Sequence, residues 1–479
     1  MGAKTPRATA ADEDDTRHSP GSDAPVEPPI TEASLNTTVP DPDYRLGDRR
    51  VGAQPHGLKK ILGVLGPGLI TGASDDDPSG VGTYSSAGAT TGYAFLWTAV
   101  ITYPLQAAVQ GMCARIGLVG GHGLAATIKQ FYPRWVLYPL VLLLVGANAF
   151  NVGADLAAIA AGINLIVPVP IPWLIPPVAI ALVLLQVFAR YETINRVFKW
   201  LCVALLAYVF TAFVSHADWG AVLRGTLIPH LPQNKDEFGL LIAILGTTIS
   251  PYLFFWQAGQ EVEEEKEKGE VSQDIPSDRT RRASPPTRQE VADRKLDVNL
   301  GMLISNLVMY FIILTTAATL HATGKTDINT ANDAASALRP LLGPAAQYLF
   351  ALGFIGAGLL AVPVLTGSAG YAVAETMGWR EGLGEPVARA RGFYAVIALA
   401  TLVGMLGNFV GLDPIRALVL SAIINGVTSP PLLLLIVLLA NRRAVMGQFV
   451  NGIWSNVFGW LAVALMTVAT VAYFVTLFQ

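Results

Sequence analysis

Three consecutive carboxylates, Asp75-Asp76-Asp77, cut into an otherwise apolar stretch and run directly into Pro78-Ser79-Gly80. A charge at the centre of a bilayer costs about 2.5–3.5 kcal/mol on insertion scales, so its presence there signals a function. Proline and glycine break a helix and release backbone carbonyls that need another partner. Carboxylates and freed carbonyls are hard oxygen donors, and their chemistry is cation binding. The same theme returns in Gly246-Thr247-Thr248-Ile249-Ser250-Pro251-Tyr252, again amid apolar residues. Pro251 lacks an N–H and its ring clashes with the carbonyl four residues back, that of Thr247. That carbonyl is then available to an ion. The plainer readings are that Pro251 only kinks a helix and that Asp77 only caps one. Capping and ion contact are compatible, because a carboxylate has two oxygens.

Membrane helices must position these groups. Apolar residues make up 52% of the chain and charged residues 14%, against roughly 25% charged in soluble domains. Mean hydropathy is +0.47. Spans of about 20 apolar residues recur along the chain. We read them at 61–92, 94–118, 135–167, 173–189, 197–214, 238–260, 298–320, 345–377, 392–410, 414–439 and 454–478. These are eleven helices, the first broken near Asp77 and the sixth near Ser250. Two broken helices five apart imply an inverted repeat of five plus five with an added eleventh, and a substrate site at the midplane between the breaks. Basic residues such as Lys59, Lys60, Arg115, Lys129, Arg380, Arg389 and Arg442 gather in alternate loops. The positive-inside rule then places the N-terminus in the cytoplasm and the C-terminus outside, in an inner (plasma) membrane.

Two polar segments stand apart. Residues 1–57 form a cytoplasmic tail too poor in large apolar residues to fold alone, and residues 58–479 form the membrane domain. Residues 261–296 read as a long cytoplasmic loop between helices six and seven, whose first part extends helix six. Met1 is followed by polar residues, which argues against a cleavable signal peptide. Cys113 and Cys202 fall in predicted helices and read as packing residues. A net charge of −3 with no basic patch excludes a nucleic-acid partner. Catalysis finds no support. There is no histidine cluster and no nucleophile–base pair, and Gly120-Gly121-His122-Gly123 lacks the lysine of a phosphate loop.

With these residues in view, the chain resembles the Nramp divalent-metal transporters. The resemblance rests on Gly66-Pro67-Gly68, Asp77-Pro78-Ser79-Gly80, Gly92-Tyr93, Leu96-Trp97, Asp155-Leu156-Ala157 and the 246–252 segment, and spans about residue 58 to the C-terminus. It implies an all-α, LeuT-like fold that alternates between outward and inward states. Several positions depart from the family pattern. Gly80 stands where the helix-one motif has a metal-binding Asn. Ser250 and Tyr252 replace the Met and His of helix six. Ala422 takes the place of a metal-facing Gln in helix ten, with Asn425 about one turn away, and Ala158 that of a helix-three Glu.

Each departure has a chemical direction. A thioether selects softer metals, whereas carboxylate, carbonyl and water suit Mg²⁺ and Mn²⁺. Gly80 deletes a ligand and is expected to widen the pocket, which suits Mg²⁺ that keeps part of its water shell. The pattern resembles the Nramp-related magnesium transporter branch, which implies transport of Mg²⁺ with Mn²⁺ accepted. Tyr252 and Ala158 do not exchange protons near neutral pH, so proton coupling is expected to be absent. Asp77 and the Thr247 carbonyl are the leading ion ligands. Asp76 lies beside them. Ser79, Gly80, Ser250, Tyr252 and Asn425 complete the expected site, holding water or packing between helices. Asp155 is a candidate gate partner for Arg391, and Glu375 a candidate for snorkelling to water. No resident cofactor is expected; the metal ion is the substrate and the bilayer the surround. Two alternatives stay open: a proton-coupled Mn²⁺/Fe²⁺ transporter of the Nramp type, and a LeuT-like carrier of small organic molecules. The latter is disfavoured because Asp77 would repel a substrate carboxylate.

Overall fold

The computed structural model describes residues 66–188, 207–272 and 282–477. Helix one is two pieces, α1 (Pro67–Asp75) and α2 (Pro78–Thr91). Helices α3 (Trp97–Gly120), α4 (Leu124–Phe131), α5 (Arg134–Ile166) and α6 (Ile171–Phe188) follow. After them come α7 (Ala207–Val214), α8 (Trp219–Leu227), α9 (Lys235–Thr248) and α10 (Pro251–Glu267). The chain continues through α11 (Arg288–Thr319), α12 (Ala346–Met377), α13 (Arg391–Gly407), α14 (Pro414–Ala440) and α15 (Ile453–Leu477). Short helical turns fill several connections. Among the described residues the one β-type pairing is an isolated bridge between Val271 and Arg282.

Local sequence explains where these helices start and stop. Pro67, Pro78, Pro251 and Pro414 each occupy a first-turn position, where the missing N–H costs nothing. Gly121 and Gly378 close α3 and α12 in the left-handed conformation, as a helix end favours. Among the described residues seven helical stretches, α9 and α10 counted as one across their break, are long and apolar enough to cross a membrane, and α13 is a shorter apolar helix. The two pieces of helix one, of 9 and 14 residues, are each too short to be counted among them. The predicted span 197–214 falls partly outside the described residues, and its end is α7. The tail 1–57 and Cys202 lie outside them as well. Helices α10 and α11 both reach into the segment 261–296.

The interior belongs to α2, α5, α9, α10, α12 and α14. Helix α5 packs along α12, α13 and α14; α14 also packs on α9 and α2; α11 packs on α1, α2 and α3. Helices α6 and α15 lie at the outside. Trp173 is 77% exposed and Trp454 73%. Such broad apolar surface, with backbone groups satisfied inside each helix, is what a lipid bilayer covers.

Close approach of α1 to α11 rests on missing side chains. A Cβ on Gly72 would fall 2.3 Å from the Gly301 carbonyl oxygen, and one on Gly301 2.2 Å from that of Gly68. The two backbones are therefore in direct contact. Nothing larger than glycine fits there without separating the helices.

Candidate metal centre

Asp77 sits outside both pieces of helix one and caps the second. Its Oδ1 accepts the Gly80 N–H at 2.7 Å and the Ser79 hydroxyl at 2.8 Å. Its Oδ2 faces across the bundle, accepting from Asn151 Nδ2 at 3.1 Å and, longer, from the Tyr252 hydroxyl at 3.4 Å. Capping and a site-facing oxygen thus coexist in one carboxylate. The Tyr252 hydroxyl also donates to the Ser74 carbonyl at 3.1 Å, tying the second break to the end of α1.

The second break lies at Ile249-Ser250, between α9 and α10. The carbonyl that Pro251 strips of its donor does not stay unpartnered. The Ser250 hydroxyl donates to the Thr247 carbonyl at 2.7 Å and to the Gly246 carbonyl at 2.9 Å. A carbonyl has two lone pairs, so Thr247 keeps one acceptor position. On the far side Ser429 donates to the Ile249 carbonyl at 3.0 Å. The two breaks meet where Ser79 and Thr247 hydroxyls approach to 3.3 Å.

Gly80 marks a difference from expectation. The missing side chain does not leave a wide pocket. A Cβ there would lie 3.3 Å from Thr247 Oγ1, 3.3 Å from the Asp75 carbonyl and 3.2 Å from Tyr84. The space is used to draw the two breaks together. Asp77, Ser79, Thr247, Ser250 and Tyr252 are all buried, so the site is closed on both sides.

The carboxylates at 75 and 76 turn elsewhere. Asp75 Oδ2 accepts from Gln106 at 2.6 Å and Ser305 at 2.5 Å, and Asp76 accepts from the same serine at 3.3 Å. Asn306 donates to Gln106 Oε1 at 2.5 Å, and Thr102 donates to Asn306 at 2.9 Å. This network joins the end of α1 to α3 and α11. Asp76 is therefore adjacent to Asp77 in sequence but directed to another wall. Among the described residues no three His, Cys, Asp or Glu side chains converge into a ligand set. A cation here would draw on at most two such side chains, with neutral oxygens for the rest.

Asn425 is fully buried in α14, and neither its amide oxygen nor its nitrogen has a hydrogen-bond partner. It lies one turn from Ser429, which touches the second break. A buried, unsatisfied amide is costly; water or a ligand would relieve it. The sequence reading passed over Asn151. Its signal was there: a polar residue one helical turn before Asp155 in an apolar span.

Two other expectations change. Arg391 is exposed at the start of α13, while Asp155 is buried without a hydrogen-bond partner, so the two do not pair as a gate. Glu375 does not snorkel to water. It is buried and accepts the Ala126 N–H at 2.9 Å. Helix α4 has Gly123 at its N-cap and no side-chain cap of its own; the carboxylate from α12 supplies one.

A second constellation holds the start of α1. Asp297 of α11 accepts the N–H groups of Gly66 at 2.9 Å, Gly68 at 2.7 Å and Leu69 at 3.2 Å. Arg294, one turn before it, pairs with Glu261 at 3.1 Å and with Glu264. Gln257 donates to Glu261 at 2.8 Å and accepts the Thr71 hydroxyl at 2.6 Å. Helices α1, α10 and α11 are thereby latched together at one end of the bundle.

Comparison with known proteins agrees with this architecture. A family model described as "Natural resistance-associated macrophage protein-like" matches residues 68–476. The divalent metal cation transporter MntH of Deinococcus radiodurans is 27% identical over 459 residues, 92% of this chain and 97% of that protein. MntH of Klebsiella pneumoniae is 28% identical over 419 residues, 85% and 92% of the two chains. Among solved structures, the Eremococcus coleocola manganese transporter bound to an aromatic bis-isothiourea substituted compound superposes with a TM-score of 0.69. It is 18% identical and 87% of each chain is covered. The structure of MhsT with L-phenylalanine gives 0.53 at 12% identity, over 85% and 98% of the two chains. The fold is the LeuT-like one, all-helical with its first and sixth helices broken. The chain belongs to the Nramp family and is an integral, multi-pass membrane protein.

Proposed function

We propose that this protein transports divalent metal cations by alternating access, with Asp77 as the charged ligand. The observation that carries the reading is the junction of the two breaks: one buried carboxylate met by the Ser79 and Tyr252 hydroxyls and the Asn151 amide, with the Thr247 hydroxyl against Ser79. The curated relatives are described as divalent metal cation transporters, which supports the same class.

Within that class the donor set favours Mg²⁺, with Mn²⁺ accepted, as in the magnesium-transporting branch that the sequence resembles. Position 250, at the break, offers a hydroxyl. The Met309 sulfur receives the Thr248 hydroxyl at 3.7 Å, on the side that faces Tyr84, and is not a partner of Asp77. Hard oxygen donors without sulfur suit ions of this kind. Ser79, Thr247, Ser250, Tyr252 and Asn425 would hold the ion or its waters, and Asp76 would add negative potential from the neighbouring wall. Admission requires the breaks to separate, since Gly80 packs them closely. In an inner membrane with the N-terminus inside, the potential supplies about 2.3 kcal/mol per charge per 100 mV, and twice that for a divalent ion. Proton coupling is not needed for inward flux. A second reading, proton-coupled Mn²⁺ uptake, draws on Asp155, a buried carboxylate without partners.

Uptake by the full-length protein in proteoliposomes tests both. The panel is Mg²⁺, Mn²⁺, Ca²⁺, Fe²⁺, Cd²⁺ and Zn²⁺, with Asp77→Ala beside the unsubstituted chain. We expect Mg²⁺ and Mn²⁺ flux that Asp77→Ala abolishes, with no change in lumenal pH. Unchanged flux in Asp77→Ala rejects the site. A strong preference for Cd²⁺ rejects the donor argument, and lumenal acidification during Mn²⁺ uptake rejects the uncoupled mechanism.

A further inference from the structure

We propose that Asn151 of α5 is a member of the ion site, its amide oxygen taking the cation or one of its waters. The proposal rests on the functional reading above and names a residue that the sequence reading did not. Asn151 is fully buried and its amide nitrogen donates to Asp77 Oδ2 at 3.1 Å. Its amide oxygen is buried with no donor. A polar atom so placed is normally satisfied by protein or water. Asn306 has its oxygen satisfied through Thr102 at 2.9 Å, and Asn148 leaves its oxygen unmet while its nitrogen donates to the Leu365 carbonyl at 3.0 Å. Asn151 differs from both in that its unmet oxygen sits on a side chain that bonds the site carboxylate.

The neighbouring groups point the same way. Asp155, one turn further along α5, is also fully buried, and both its oxygens lack hydrogen-bond donors. Helix α5 carries four buried side-chain oxygens without donors, one on Asn148, one on Asn151 and two on Asp155. Of these residues Asn151 is the one that bonds Asp77, and Asp155 lies one turn from it. Acceptors without donors call for a cation or for hydration waters, which donate. One carboxylate cannot complete the six or more oxygens of a hard divalent ion. Further oxygens must come from neighbouring side chains and water, and Asn151 Oδ1 is such an atom on a side chain that already touches Asp77. Rotation of the amide would turn this oxygen to an ion at Asp77, and without rotation it would still accept from a bound water.

Calorimetric titration of the purified full-length protein with MnCl₂ and MgCl₂ tests this. Asn151→Ala is expected to weaken both ions tenfold or more. Asn151→Asp keeps an oxygen at the position but loses the donor, and is expected to bind within threefold of the unsubstituted chain or tighter. Asn164→Ala is the control on the same helix; its amide bonds the Val169 carbonyl at 2.9 Å, and its titration should not change. Asn151→Ala binding as the unsubstituted chain does, while Asp77→Ala does not bind, overturns this proposal alone. Asn151→Asp as weak as Asn151→Ala also overturns it, because the amide would then serve as a donor that orients Asp77. Should Asn151→Ala fail to fold, Asn151→Asp carries the test by the same criterion. No saturable binding by the unsubstituted chain, or full binding by Asp77→Ala, overturns the ion site itself.

Discussion

Replacing Asp297 with alanine should loosen the first half of helix one. Helix α1 has nine residues, fewer than the roughly 12–15 at which even good isolated helices become marginal in water. Its N-cap, Gly66, brings no side chain to the task. Pro67 has no N–H, so the leading donors are Gly66, Gly68 and Leu69, and Asp297 accepts from all three. Hydrogen bonds to a charged group are worth about 1.5–3 kcal/mol each, but three on one carboxylate do not add. Water regains the donors once this end opens, and cap deletions cost about 0.5–2 kcal/mol. We take about 2 kcal/mol. At 1.4 kcal/mol per factor of ten, that is roughly a 30-fold shift toward the open arrangement. Hydrogen–deuterium exchange of the full-length protein reads it directly. Amides of residues 68–75 should exchange about 30-fold faster in Asp297→Ala, by the same estimate. Asp297→Asn should fall between, because one oxygen can still serve Gly66 and Leu69 while the Gly68 N–H meets an amide nitrogen. Unchanged exchange in residues 68–75 of Asp297→Ala would refute the latch and leave α1 held by packing alone.

Two further outcomes follow from the packing. Gly72→Val should force α1 away from α11, since its Cβ would press on the Gly301 backbone, which cannot move aside as a side chain could. Overpacking of this kind costs about 1–3 kcal/mol, read as a lower melting temperature and faster exchange in α1; an unchanged melting temperature would contradict the contact. Glu375→Ala should fray α4 by removing its borrowed cap, at about 1 kcal/mol. Glu375→Gln, which retains an acceptor, should lose less. Equal exchange of residues 124–131 in all three proteins would show that the cap contributes nothing.

What the sequence determined by itself was the class of molecule and the location of the breaks. Apolar length and low charge place the chain in a bilayer, and Pro78 and Pro251 interrupt two helices by removing N–H groups that no fold can restore. Those are local, covalent facts, and both breaks stand at the expected residues. Direction was not local. Asp75, Asp76 and Asp77 are equivalent in sequence, yet Asp77 faces the junction while its neighbours turn to Gln106 and Ser305. Successive residues at a break point to different walls, and only the positions of α3, α5 and α11 decide which wall offers donors. Gly80 showed the same limit. A missing side chain reads as space, but close packing used the space to join the two breaks. Glu375 read as a carboxylate that snorkels to water and Asp297 drew no reading from the sequence, yet both cap helices far away in the chain. Asn151 met Asp77 only once α5 lay against it. Burial and partnership are properties of the assembled bundle, because the donor that satisfies a buried oxygen comes from a helix that sequence distance does not reveal.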